Sequence, residues 1–127
     1  MGLRVTPRSG RPWFTDWLAG LATGAGSGFL FAIWPTLGAG IALAFVAGVA
    51  LTRRRRAPVG GFLVGLSGVW LLLIGNATLA CQRFNEVPGQ GCEYPDVTGW
   101  VIVAIGLLIL GMALTAAAVR AGRVGSR

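Results

Sequence analysis

With 127 residues, 54% of them hydrophobic and only 12% charged, the chain lies far below the roughly 25% charged fraction of soluble domains. Its formal charge of +7 comes from arginine alone, and the arginines flank apolar runs instead of interleaving with stacking aromatics, which points to a membrane surface and excludes nucleic acid as the natural partner. Neither lysine nor histidine occurs, so imidazole metal ligation and imidazole acid–base chemistry are excluded as well.

The chain opens on Arg4, Arg8 and Arg11 and then runs uncharged from Trp17 to Thr52, a stretch of 36 residues. A hydrocarbon core needs about 20 helical residues, so this stretch is too long for one ordinary span. Pro35 falls in its middle, where it would interrupt a helix, and Trp34 beside it suits an interface. The pattern predicts a helical hairpin with spans at about 14–33 and 36–52. Asp16, at the edge of the first span, is expected to charge the helix N-terminus or to pair with Arg11. A cleaved signal peptide is the competing reading of the N-terminus, with Arg4 to Arg11 as its basic region and small residues from Ala22 to Gly28 as its cleavage site. Glycine dilutes the apolar stretch from Leu18 to Gly28 too much for a compact signal sequence, so the hairpin is preferred.

Arg53, Arg54, Arg55 and Arg56 follow as a basic anchor, which suits anionic lipid head groups. With Arg4 to Arg11 before the hairpin and this cluster after it, the positive-inside rule requires an even number of crossings between them. Ala57 to Gln82 then supplies a span at about 59–80, residues 81–98 form an exterior loop, and Val97 to Val119 supplies a span at about 99–119. Arg120, Arg123 and Arg127 close the chain on the basic side. Ten of the eleven arginines thus share one face, whereas Arg83 shares the exterior segment with Glu86, Glu93, Asp96 and both cysteines.

The expected fold is therefore an all-α membrane protein: one polytopic domain over residues 1–127, four transmembrane helices in an antiparallel bundle, both termini cytoplasmic. Arginine as the sole basic residue suggests a bacterial cell membrane.

Each predicted helix carries small residues on one face at about 100° per residue. Gly20, Thr23, Gly24, Ser27 and Gly28 share a face of the first; Gly40, Ala44, Ala47 and Gly48 of the second; Gly61, Gly65, Gly68 and Gly75 of the third; Gly99, Gly106, Ala113 and Ala117 of the fourth. Lipid provides little drive for helix association, so close contact between such faces must provide it. Composition alone would create some stripes, since 21 of the 127 residues are glycine. The first helix is the candidate dimerisation face. Asn76, at the edge of the third stripe, is expected to form an interhelical hydrogen bond or, with Thr78, to line a small outward pocket.

Cys81 and Cys92 enclose ten residues containing Pro88-Gly89, which suits the central positions of a type II turn. On the oxidising side of a membrane these thiols are expected to form a structural disulfide. Redox catalysis would call for a Cys-x-x-Cys pair and a relay pair, and neither is present. Two thiols without histidine do not complete a zinc shell. Trp70 lies about 180° from the glycine face of its helix and is predicted to point toward lipid or a neighbouring protein, although an aromatic there would also suit a planar ligand.

Length and span count are similar to those of small multidrug-resistance exporters. Proton coupling of that kind relies on an embedded carboxylate, and no ionisable residue lies within any predicted span. No family is assigned on that basis, and no catalytic residue, cofactor or metal is expected. The predicted role is that of a small integral membrane protein with an accessory, scaffold or helix-packing function, through self-association or another membrane protein. The alternative is an oligomeric small transporter or channel-like protein, its pore lined by Thr23, Ser27 and Asn76.

Overall fold

The computed structural model describes residues 12–51, 56–93 and 96–124. They form four α-helices, α1 (Pro12–Ile33), α2 (Pro35–Ala50), α3 (Arg56–Asn85) and α4 (Thr98–Val124), with no strand among the described residues. By length and apolar composition α3 and α4 are each able to cross a membrane. The 16 residues of α2 make a shorter apolar helix, and α1 is diluted by glycine, serine and threonine.

Trp34 is the single non-helical residue between α1 and α2. Its N–H still donates to the Leu30 carbonyl at 2.6 Å, while its own carbonyl accepts from the N–H groups of Leu37 and Gly38, each at 3.1 Å. Trp34 therefore ends one helix and starts the next. Pro35 follows at the first helical position, where a missing N–H removes no helix bond. The turn is this tight because Gly38 has no side chain; a Cβ there would lie 2.5 Å from the Phe31 Cα.

The axial register follows from which residues meet. Gly20 faces Pro58, Gly24 faces Phe62 and Gly28 faces Leu66, so α1 and α3 run parallel at a constant offset. Gly60 faces Gly111 and Thr115, and the Trp70 ring lies against that of Trp100, so α4 runs antiparallel to both. Phe31 against Gly38 and Phe45 against Phe62 set α2 antiparallel to α1 as well. Helix α1 packs extensively on α3 and on α2, α3 packs on α4, and α1 touches α4 only lightly.

This register brings the tryptophans to two levels. Trp13 and Trp17 lie at one end, with Trp13 3.6 Å from the Cβ position of Gly122 on α4. Trp34 lies at the height of α3 residue Leu72 by the same offset, near the level that Trp100 of α4 shares with Trp70. At 1.5 Å per residue the two levels are about 26–32 Å apart along α1. Past the second level α3 continues alone to Asn85, about 20 Å further. That continuation exceeds the predicted end at residue 80, because Cys81 and Asn85 tie the helix to the loop that follows.

Burial is inverted relative to a soluble bundle. The buried positions are mostly small, including Ala57, Ser27, Ser67 and Ala104, whereas Leu43 is 70% exposed, Ile102 66% and Ile109 58%. Contiguous apolar surface of that kind marks contact with lipid or protein.

Candidate functional site

Three features stand out: a glycine seam between α1 and α3, a cleft above it, and a disulfide-closed cap.

The seam is reciprocal. Cβ atoms added at Gly20 and Gly24 would overlap the carbonyl oxygens of Pro58 and Phe62, and Cβ atoms added at Gly61 and Gly65 would overlap those of Trp17 and Leu21. Each helix thus presents Cα–H groups to the carbonyls of the other, a contact worth about 0.5–1 kcal/mol each in the absence of competing water. The groove of α1, read from sequence as a candidate dimerisation face, is filled by α3 of the same chain. On its other side α3 repeats the arrangement with α4, where a Cβ on Gly60 would lie 3.1 Å from the Gly111 oxygen and one on Gly111 would lie 3.0 Å from the Gly60 oxygen. The adjacent residues Gly60 and Gly61 therefore serve two different neighbours.

The remaining stripe residues are placed differently from the expectation. Gly68 and Gly75, and likewise Gly40, Gly48, Gly99 and Gly106, have nothing within 4 Å of a Cβ position. Gly75 is level with a point beyond the end of α1, so its face has no partner at that height. Asn76 is exposed and donates to the Leu72 carbonyl of its own helix at 2.9 Å, and Thr78 donates to Ile74 and Gly75 at 3.1 and 2.9 Å. Both lie on the part of α3 that extends past its neighbours, so the expected interhelical bond has no helix to reach.

Above the seam the helices separate. At Gly28 the nearest atoms are the Leu66 Cδ1 at 3.2 Å and the Trp70 Cδ1 at 3.3 Å, side chains where Gly24 met backbone. The divergence opens a cleft of about 280 Å³ to which all four helices contribute, with Ser27, Ser67, Trp70, Ala42, Ala104 and Trp100 among its lining. Trp70 is turned into the bundle, contrary to the outward orientation, toward lipid or a neighbouring protein, predicted from helical phase. Its ring lies between Phe31 and Trp100, at centroid distances of 5.7 and 5.2 Å. Trp70 lies opposite Gly61 in helical phase, yet α3 is flanked by α1 on one side and α4 on the other, and Trp70 falls in the gap between them.

The polar groups around the cleft are almost all spent locally. Ser27, 1% exposed, donates to the Gly24 carbonyl at 3.1 Å, and Ser67, also 1% exposed, donates to Leu63 at 2.6 Å. The Trp70 indole N–H is the exception: it is buried and has no acceptor. An unmatched buried donor costs roughly 1–3 kcal/mol.

Sequence reasoning missed the bond that ties α1 to α4. The Trp17 indole N–H donates to the Thr115 hydroxyl at 2.9 Å, and that hydroxyl donates onward to the Gly111 carbonyl at 2.8 Å. Ninety-eight residues separate Trp17 from Thr115, and no spacing rule pairs them.

At the far end of α3, Cys81 and Cys92 form a disulfide with Cα atoms 5.4 Å apart. Between them, Pro88-Gly89 forms a type II turn: the Gln90 N–H donates to the Val87 carbonyl at 3.2 Å, and Gly89 has φ 84°, which favours glycine. Asn85 was also missed. Its amide accepts from the Cys92 N–H at 2.5 Å and donates to the Cys92 carbonyl at 3.1 Å, matching both backbone groups beside the bridge. Asp96 accepts from the Thr98 N–H at 3.2 Å and so places a carboxylate at the start of α4.

The anchor residues Arg53, Arg54 and Arg55, together with Arg4, Arg8, Arg11 and Arg127, lie outside the described residues. Arg56 opens α3 and stands across an alanine-floored groove from Arg120 of α4, at the end opposite the disulfide. Among the described residues no group of three or more Cys, Asp and Glu is placed to hold a metal ion. Comparison with protein families, with characterised proteins and with solved structures found no match to this chain.

Proposed function

We propose that this chain is a four-span protein of a bacterial-type cytoplasmic membrane, both termini inside, acting as a non-catalytic accessory or scaffold that packs against another membrane protein. One observation carries the reading: the shared register of the four helices. It aligns the ends of the short α1 and α2 with the apolar limits of α4, between two tryptophan levels about 26–32 Å apart, a separation close to a hydrocarbon core. Arg56 and Arg120 mark one level, and the disulfide lies about 14 Å beyond the other, counting nine residues of helix from Leu72 to Cys81.

The packing role follows from where small residues remain uncovered. The α1 groove is occupied internally, but Gly40 and Gly48 on α2 and Gly99 and Gly106 on α4 face open space, as surfaces that a partner helix approaches closely. The transport alternative draws less support. Thr23 donates to Ala19, Ser27 to Gly24 and Asn76 to Leu72, so the side chains suggested as a pore lining bond to their own helices.

Reporter fusions test the topology: a fusion after Arg127 is expected to be active inside and one at Gly89 outside, and the reverse pair refutes the four-span reading. Co-purification from native membranes tests the role. Gly106→Leu is expected to release a partner while the bundle stays folded, and a stable homo-oligomer that conducts solute would replace the scaffold reading with the channel.

A further inference from the structure

The cleft above the glycine seam has a shape that neither helix contact nor topology requires. Its floor is the α1–α3 pair. Its walls are α2 and α4, which have no extensive packing with one another, so it opens sideways between them. Leu66 and Leu107 lie at its lower end, and Trp70 and Trp100 close it above. From Trp100 to Leu107 is seven residues of α4, so the cleft runs about 10 Å along the bundle axis.

We infer that this cleft is a binding site for one acyl chain of an outer-leaflet lipid. The inference rests on the membrane reading above, which puts the cleft just beneath the outer tryptophan level. An apolar cavity of 150 Å³ accommodates a benzene-sized molecule and excludes water, and this one is nearly twice that volume, enough for roughly ten carbons. Its walls are apolar, and the two serine hydroxyls already donate to their own helices, which suits a hydrocarbon chain better than a ring that needs donors at both ends. The polar demand lies at the outer end, where the Trp70 N–H has no acceptor in the chain. An ester carbonyl is the acceptor that an acyl lipid brings to that depth, and it reaches the N–H once the Trp70 ring, which shields that atom in this packing, turns toward the cleft it lines.

The test is photolabelling of the full chain, reconstituted in phosphatidylcholine vesicles containing a small fraction of phosphatidylcholine with a diazirine in one acyl chain, followed by peptide mapping. Label is expected to concentrate on Ala42, Leu66 and Leu107 over the outward residues Leu43, Ile102 and Ile109. Ala104→Phe and Ala42→Phe fill the cleft from opposite walls; each is expected to lower cleft labelling about tenfold, the effect of about 1.4 kcal/mol of lost binding, with outward labelling and the disulfide unchanged. Trp70→Phe is expected to lower it about threefold to tenfold by removing the donor. Even labelling of inward and outward faces, or cleft labelling that survives both filling variants, overturns the site. Displacement of the label by a free quinone but not by unlabelled phospholipid overturns the acyl assignment. Absence of label on every helix would refute the membrane reading beneath it, a failure distinct from the other two.

Discussion

Alanine at Gly24 and at Gly26 makes a sharp contrast, because the two residues are separated by one position and differ completely in what a Cβ would meet. At Gly24 the new atom would overlap the Phe62 carbonyl oxygen and lie 2.8 Å from its carbonyl carbon, both backbone atoms that no rotamer change moves aside. Helix α3 must retreat, and the four reciprocal contacts at Gly20, Gly24, Gly61 and Gly65 loosen together. At about 0.5–1 kcal/mol each they represent about 2–4 kcal/mol in total, so Gly24→Ala is expected to destabilise by about 1–3 kcal/mol, the usual range for overpacking. At Gly26 nothing lies within 4 Å, and alanine is expected to be neutral or to stabilise by up to about 1 kcal/mol through helix propensity. Ala25 would be a poorer control than Gly26, since its backbone nitrogen lies 2.9 Å from the Cβ position of Gly65. Thermal unfolding of the detergent-solubilised protein, or unfolding in mixed micelles at rising denaturing-detergent fraction, measures both variants. Equal stability of Gly24→Ala and Gly26→Ala would refute the seam. So would equal loss at Gly68 and Gly61, because the first faces open space and the second meets the Trp17 carbonyl.

Thr115→Val keeps the shape of the side chain but leaves the Trp17 N–H without its acceptor; a loss of about 1 kcal/mol is expected by thermal unfolding, and Trp17→Phe combined with it should cost little more. Replacing both Cys81 and Cys92 with serine is expected to cost up to about 3 kcal/mol in the chain-entropy model, with the helices and topology retained, as read by thermal unfolding and reporter fusions. Asn85→Ala removes two hydrogen bonds to Cys92, and the disulfide is expected to be reduced several-fold faster by a dithiol, measured by mass spectrometry of alkylated protein. Gly89→Ala forces a side chain into the left-handed region and is expected to destabilise the cap by about 1–2 kcal/mol, whereas Gly91→Ala, where nothing lies within 4 Å and φ is not positive, should be near neutral by thermal unfolding.

Much of the architecture is legible in one dimension because the relevant physics is local. Apolar length set the helical segments, Pro35 set the break, and the Pro88-Gly89 pair set the turn, since each depends on a residue's own backbone and its immediate neighbours. The pairing of Cys81 with Cys92 needed only that two thiols exist and that the chain between them bends. Asymmetry of arginine placement is equally a property of the string.

The tertiary structure decided which of the small residues matter. A periodicity of about 100° assigns residues to a face, but not the height at which a neighbouring helix is present. Gly61 and Gly75 share a face, yet only Gly61 meets α1, because the α1–α3 offset ends α1 below Gly75. Gly60 and Gly111, off the predicted stripes, join α3 to α4 because α3 has two neighbours and so two contact faces. Trp70 turned inward for the same reason, and Trp17 found Thr115 across 98 residues of sequence. Composition along the chain sets where a helix forms and where it breaks; axial stagger, a property of the assembled helices alone, sets which of its faces are occupied and where between them a cleft is left open.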